Sequence, residues 1–167
     1  MIDARGFSVL PGVIGPGQLA LLTAAYDRAF ESGVPPDLRR SVSGSNVRLA
    51  ALLSYGREFD ELCILPPVLA ACAAVIGESF KLNSLSARTV FPGAAPQPLH
   101  VDLRRDDDAW PLVGFIVMID DFRPENGATR FVPGSHRDGD AVNADAPGVV
   151  ACGEAGAVIV YHGSVWH

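Results

Sequence analysis

The chain has 167 residues, 49% of them hydrophobic, enough to bury the core of one compact domain. Its 13 basic and 19 acidic side chains leave a formal charge of −6, with Lys81 as the single lysine, so neither a nucleic-acid backbone nor an anionic lipid surface is an expected partner. Cys63, Cys72 and Cys152 contain no C-x-x-C pair, which excludes a zinc cluster or disulfide framework and reads as small apolar residues in a reducing compartment.

Phe7-Ser8-Val9-Leu10 reads as a short strand ended by the turn at Pro11-Gly12. A helix follows from residues 14–17, with Leu19, Leu22, Tyr26, Ala29 and Phe30 at helical spacing, and should stop at Gly33. Residues 37–56 lose this pattern and are expected to form a solvated loop, or a substrate lid. A second helix opens at Pro66-Pro67, carries Leu69, Cys72, Ala73 and Ile76 on one stripe, and closes at Gly77. Residues 80–91 then alternate as one long strand with polar groups on both faces, so Asn83 or Arg88 could reach a ligand cavity. The acidic run Asp106-Asp107-Asp108 belongs to a charged loop over 104–110. Residues 111–120 are predicted to be a fully buried strand, followed by strands over 129–132, a weaker one at 149–150, and a strong one over 157–161. Two helices followed by short strands with Gly and Pro turns predict a mainly β domain, a double-sheet jelly roll with N-terminal helices. The expected division is a helical part over 1–77 and a jelly-roll core over 78–167 within a single domain. The N-terminus lacks a signal-peptide pattern and no apolar run is long enough to span a bilayer, so a cytoplasmic protein is expected.

The chemistry converges on Gln97-Pro98-Leu99-His100-Val101-Asp102. In an extended chain residues i and i+2 share a side, so His100 and Asp102 would offer an imidazole and a carboxylate to one point. A third ligand could come from His167, with His162 on the same stretch as its rival. Two histidines and a carboxylate make the facial triad of non-haem Fe(II) oxygenases, which leaves three coordination positions open. His136, in the turn Pro133-Gly134-Ser135-His136, reads as structural, and the Thr129 hydroxyl could donate to a co-substrate carboxylate.

Taken in order, Gln97-x-x-His100-x-Asp102, Asn126-Gly127-Ala128-Thr129, Pro133-Gly134-Ser135-His136 and Gly163-x-x-Trp166-His167 resemble the phytanoyl-CoA dioxygenase family, from about Gly6 to the last residue. The resemblance implies a double-stranded β-helix of the cupin-like kind. It assigns Fe(II) to His100, Asp102 and His167, because the family's distal histidine follows the tryptophan. It further implies 2-oxoglutarate as co-substrate, O2 at the remaining position, and hydroxylation of an aliphatic C–H bond in a small molecule. Gln97 would lie near the site if the chain bends at Pro98, with Thr129 and Asn83 as further co-substrate contacts. Halogenating relatives carry a small residue where this chain has Asp102. The family's arginine for the distal carboxylate of 2-oxoglutarate lies beyond the position of His167, so the expectation is a jelly roll incomplete at the C-terminus, with Arg88 or Arg130 as substitutes inside the chain. The competing readings are a non-catalytic metal-binding cupin-like protein and an inactive truncated oxygenase copy; the primary substrate and oligomeric state are not encoded in any motif.

Overall fold

A computed structural model describes residues 2–32, 39–42, 46–77, 79–104, 111–137, 142–143 and 145–167. In chain order the elements are α1 (Ile2–Arg5), β1 (Phe7–Leu10), α2 (Pro16–Glu31), β2 (Arg39–Val42), β3 (Asn46–Leu49), 3-10 stretches at Leu52–Ser54 and Arg57–Ile64, and α3 (Pro66–Val75). They continue with β4 (Ala87–Val90), β5 (Val113–Val117), a 3-10 turn at Pro124–Asn126, β6 (Arg130–Phe131), β7 (Val149–Val150) and β8 (Val158–His162). Contacts gather these into two units, Met1–Ile14 with Pro66–Phe80 and Gln97–His167, and Gly15–Leu65 with Lys81–Pro96.

In the first unit β8 runs between β1 and β5, antiparallel to both. The run Val158-Ile159-Val160-Tyr161 is buried residue after residue, as a central strand covered on both faces must be. Its register sets Tyr161 opposite Phe7 on one side and Gly114 on the other. The short strands β6 and β7 form a separate antiparallel pair, with Arg130 opposite Val150 and Phe131 opposite Val149. Phe131 is fully buried, and its ring stacks on Phe7 at 4.4 Å between centroids and 13° between planes. Met118, Ile159, Tyr161 and Val165 complete that core, and α3 packs against β5 and β8.

In the second unit α2 begins with Pro16 after an extended Gly15, a position where the missing amide hydrogen costs nothing. It buries Leu22, Ala25 and Ala29, one stripe at helical spacing. Arg28 pairs with Glu58 at 2.6 Å and Gln18 donates to Glu61 at 2.8 Å, tying the helix to the Arg57–Ile64 stretch. The sheet β2-β3-β4 is antiparallel throughout. None of the described helices is long and apolar enough to cross a membrane.

Three expectations need correction. Within 37–56 the described residues hold two paired strands and a 3-10 turn, not a solvated loop, because Val47 and Leu49 bury themselves while Arg48 between them stays exposed; residues 37–38 and 43–45 lie outside the described set. The long strand over 80–91 shrinks to β4, since β3 offers only four residues to pair with and the mixed polar segment before Ala87 has no ladder partner among the described residues. The apolar run over 111–120 yields β5, which is half-buried at all five positions because it pairs with β8 on one side only among the described strands. The acidic run 106–108 lies outside the described residues.

Removing the Phe131 ring should leave a cavity against Phe7 and Tyr161 that backbone relaxation fills only in part. Phe131→Ala is expected to lower unfolding free energy by about 3–5 kcal/mol, measured by urea denaturation of the metal-free protein.

Candidate metal centre

Pro96 and Pro98 lack amide hydrogens, and residues 97–101 form no strand, so the same-side rule for strands is not what unites His100 with Asp102. A backbone bridge does part of the work. The His100 amide donates to the His167 carbonyl at 2.9 Å and the His167 amide returns a bond to the His100 carbonyl at 2.9 Å, the reciprocal pair of an antiparallel ladder. The Leu103 amide donates to the Gly163 carbonyl at 3.0 Å, holding the bend at Asp102 against the same segment. The two imidazole centroids stand 4.5 Å apart.

One ligand atom each from His100, Asp102 and His167 lies within 4.8 Å of the others. Metal bonds of about 2.1 Å place neighbouring ligands roughly 3 Å apart, so a small contraction would close the three atoms on one ion. In both rings the same nitrogen is engaged by the backbone. His100 Nδ1 lies 3.1 Å from the Pro98 carbonyl and His167 Nδ1 lies 3.0 Å from the Val165 carbonyl. A carbonyl only accepts, so each Nδ1 carries the proton and each Nε2 keeps its lone pair. Gln97 donates its side-chain amide to the His100 Nε2 at 3.3 Å, which sets it beside one of the three candidate ligands.

The third group is held by a residue that sequence reasoning overlooked. The Tyr161 hydroxyl donates to Asp102 Oδ2 at 2.6 Å. Burial pushes the Tyr161 phenol far above its ordinary range, and the Asp102 carboxylate pushes it further, so it stays protonated. Burial likewise holds His167 below the usual histidine value, partly offset by the Val165 carbonyl and by Asp102, which favours the neutral, ligating imidazole. Phe131 and Tyr161 flank the His167 ring at 5.4 Å and 5.0 Å.

The remaining candidate residues have surroundings of their own. His162 accepts from the Ser164 amide at 3.1 Å and its ring lies 5.3 Å from His136. His136 is buried and bonds to the Asp3 carbonyl at 3.2 Å. Its turn clamps the ligand segment: the Trp166 amide donates to Ser135 Oγ at 3.0 Å, and the Val132 amide to the Trp166 carbonyl at 2.9 Å. Thr129 is half-buried two residues before Phe131, its carbonyl accepting from the Ala151 amide at 2.8 Å. Arg130 is exposed beside buried Phe131, and adjacent strand residues point to opposite sides, so it faces away from the His167 ring. Asn83 and Arg88 belong to the second unit, both exposed, with Arg88 opposite Arg48 in the sheet.

A family model described as Phytanoyl-CoA dioxygenase (PhyH) matches residues 2–167. Dioxygenase trt7 of Aspergillus terreus is 27% identical over 185 aligned positions, covering all of this chain and 64% of that enzyme. The chain thus spans less than two thirds of this curated relative's length. Among solved structures, the non-heme α-ketoglutarate-dependent carbocyclase SnoK of nogalamycin biosynthesis has a TM-score of 0.78 at 17% identity, covering 99% of this chain and 73% of that one. HygX of Streptomyces hygroscopicus, solved with nickel and 2-oxoglutarate, has a TM-score of 0.77 at 18% identity, covering 99% and 76%. Another HygX structure also contains hygromycin B.

The depressed His167 gives the metal-free protein a signed pH dependence. Between its folded value and the ordinary value of 6.5, the unfolded chain binds a proton that the folded chain refuses, so stability falls as pH drops through that window and levels off below it. Denaturation of chelator-treated protein at about pH 7.5 and about pH 5.5 should show this loss, and His167→Gln should shrink it.

Proposed function

The chain belongs to the phytanoyl-CoA dioxygenase family, a family of non-haem Fe(II)- and 2-oxoglutarate-dependent dioxygenases, and from that membership we propose that it hydroxylates an aliphatic C–H bond of a small molecule. His100, Asp102 and His167 would hold one Fe(II), with 2-oxoglutarate and O2 as co-substrates. The observation that carries this reading is the convergence of one ligand atom each from His100, Asp102 and His167 within 4.8 Å, with both Nδ1 protons committed to carbonyls. That donor set fits a divalent ion bound on one face. The similarity to SnoK and HygX supports a double-stranded β-helix fold for the chain.

Bound there, Fe(II) would supply oxygen activation coupled to oxidative decarboxylation of 2-oxoglutarate. The chain's own part is positional. Two neutral imidazoles and one carboxylate leave a single net positive charge to attract an anionic 2-oxo acid. Phe131 and Tyr161 keep water from one side of the His167 ring. Gln97, displaced from the His100 lone pair by the ion, would present its amide to the co-substrate, and Thr129 its hydroxyl. The presence of Asp102 argues for hydroxylation over halogenation, since no ligand position is vacated for a halide.

The rival reading is a non-catalytic metal-binding cupin-like protein, since divalent nickel and zinc bind such ligands more tightly than Fe(II). Anaerobic addition of Fe(II) and 2-oxoglutarate should produce a weak visible charge-transfer band that is lost in His100→Ala, and admission of O2 should release succinate. A folded protein that binds metal yet gives neither band nor succinate would favour the non-catalytic reading. A chlorinated product in a halide-containing assay would overturn hydroxylation.

A further inference from the structure

Asp102 has a problem that the two histidines do not. It is exposed and sits at a bend outside any strand, whereas His100 and His167 brace each other through their backbones. A carboxylate so placed can rotate, and it can offer an ion either one oxygen or both. Two bound oxygens would consume one of the three positions that a facial triad leaves open.

The central strand addresses this from below. Tyr161 on β8 is buried, yet its hydroxyl reaches Asp102 Oδ2 at 2.6 Å. It can do so because of the residue paired opposite it. Gly114 is the register partner of Tyr161, and a Cβ built on Gly114 would run into the phenol ring. The ring therefore lies over the glycine backbone of β5, and from there its hydroxyl projects to the carboxylate. A glycine within an apolar strand weakens pairing, so its use here calls for a close approach of this kind.

We propose that Tyr161 is a positioning residue that ties down one oxygen of Asp102 and leaves the other for the metal, and that Gly114 is the opening that lets it do so. This rests on the metal reading of the three ligands, but not on oxygenase turnover. The Tyr161 hydroxyl donates one hydrogen bond, fixes the carboxylate plane, and restrains the site to a single bound oxygen. Partners of this kind typically change metal affinity by about 10–100-fold.

Zn(II) alone, which needs neither O2 nor co-substrate, is the probe. Its affinity for the full chain would be measured by chelator competition for the unsubstituted protein, Tyr161→Phe, Asp102→Asn and the double variant, with thermal unfolding of each metal-free form as the check on folding. Expected is a loss of about tenfold in Tyr161→Phe, and little or no further loss when the same change is made on Asp102→Asn. Gly114→Ala should weaken Zn(II) binding to a similar degree by displacing the ring. Equal affinity of Tyr161→Phe and the unsubstituted chain would overturn the proposal. So would an equal fold-loss in the Asp102→Asn background, which would mark Tyr161 as a packing residue only. Should Tyr161→Phe unfold, Gly114→Ala paired with Asp102→Asn provides the same cycle. Failure of the 2-oxoglutarate band in the unsubstituted protein, by contrast, bears on the oxygenase reading and leaves this coupling intact.

Discussion

Two backbone hydrogen bonds, each 2.9 Å, join His100 to His167, and the rest of the site depends on them. They span 67 positions of sequence and convert a proline-flanked segment with no strand of its own into half of a ladder. Once paired, the two rings have few places to go, because each Nδ1 is caught by a carbonyl two residues earlier in the chain. A backbone contact thereby sets both the separation of the imidazoles and their tautomers. His167 is oriented by backbone groups, and His100 adds to its backbone partners one side-chain contact, from Gln97.

Around that bridge the first unit supplies rigidity in layers. The terminal segment is clamped by the turn at Pro133–His136, through Ser135 Oγ and the carbonyl of Trp166. Beneath it Phe131 stacks between Phe7 and the aromatic edge of Tyr161 and His167. The one ligand outside this framework, Asp102, is reached by the hydroxyl of the central strand's own tyrosine. The core and the site thus share residues, and a change in core packing at Phe131 or Tyr161 would be felt at the ligands.

Much of this arrangement was legible in the sequence. The helices around Leu22 and Cys72 and the strands at Phe7–Leu10 and Val158–His162 follow from hydrophobic spacing, because each places apolar residues in the core, Leu22, Cys72, Phe7 and Val158 with Ile159 and Val160 among them. The strand over 80–91 and the loop over 37–56 misled for a common reason: strand length is decided by what lies opposite, and β2 to β4 define each other only in space. His100 and Asp102 stood out by type and spacing, yet the physical route to their convergence was different, through a ladder bond and a tyrosine instead of strand alternation. Tyr161 entered the sequence reading only as the end of the strand over 157–161. Its signal was indirect, a glycine in the middle of Val113-Gly114-Phe115-Ile116, whose missing side chain is explained only by the ring that fills the space.

The central claim is that one ion is held by His100, Asp102 and His167 together. Anomalous diffraction from crystals of the Fe(II)-loaded protein tests it directly. The account predicts a single iron peak within bonding distance of both histidine Nε2 atoms and of one Asp102 oxygen, with His136 and His162 outside its coordination sphere. Iron located at the His136–His162 pair, or bound to fewer than all three predicted ligands, would contradict it.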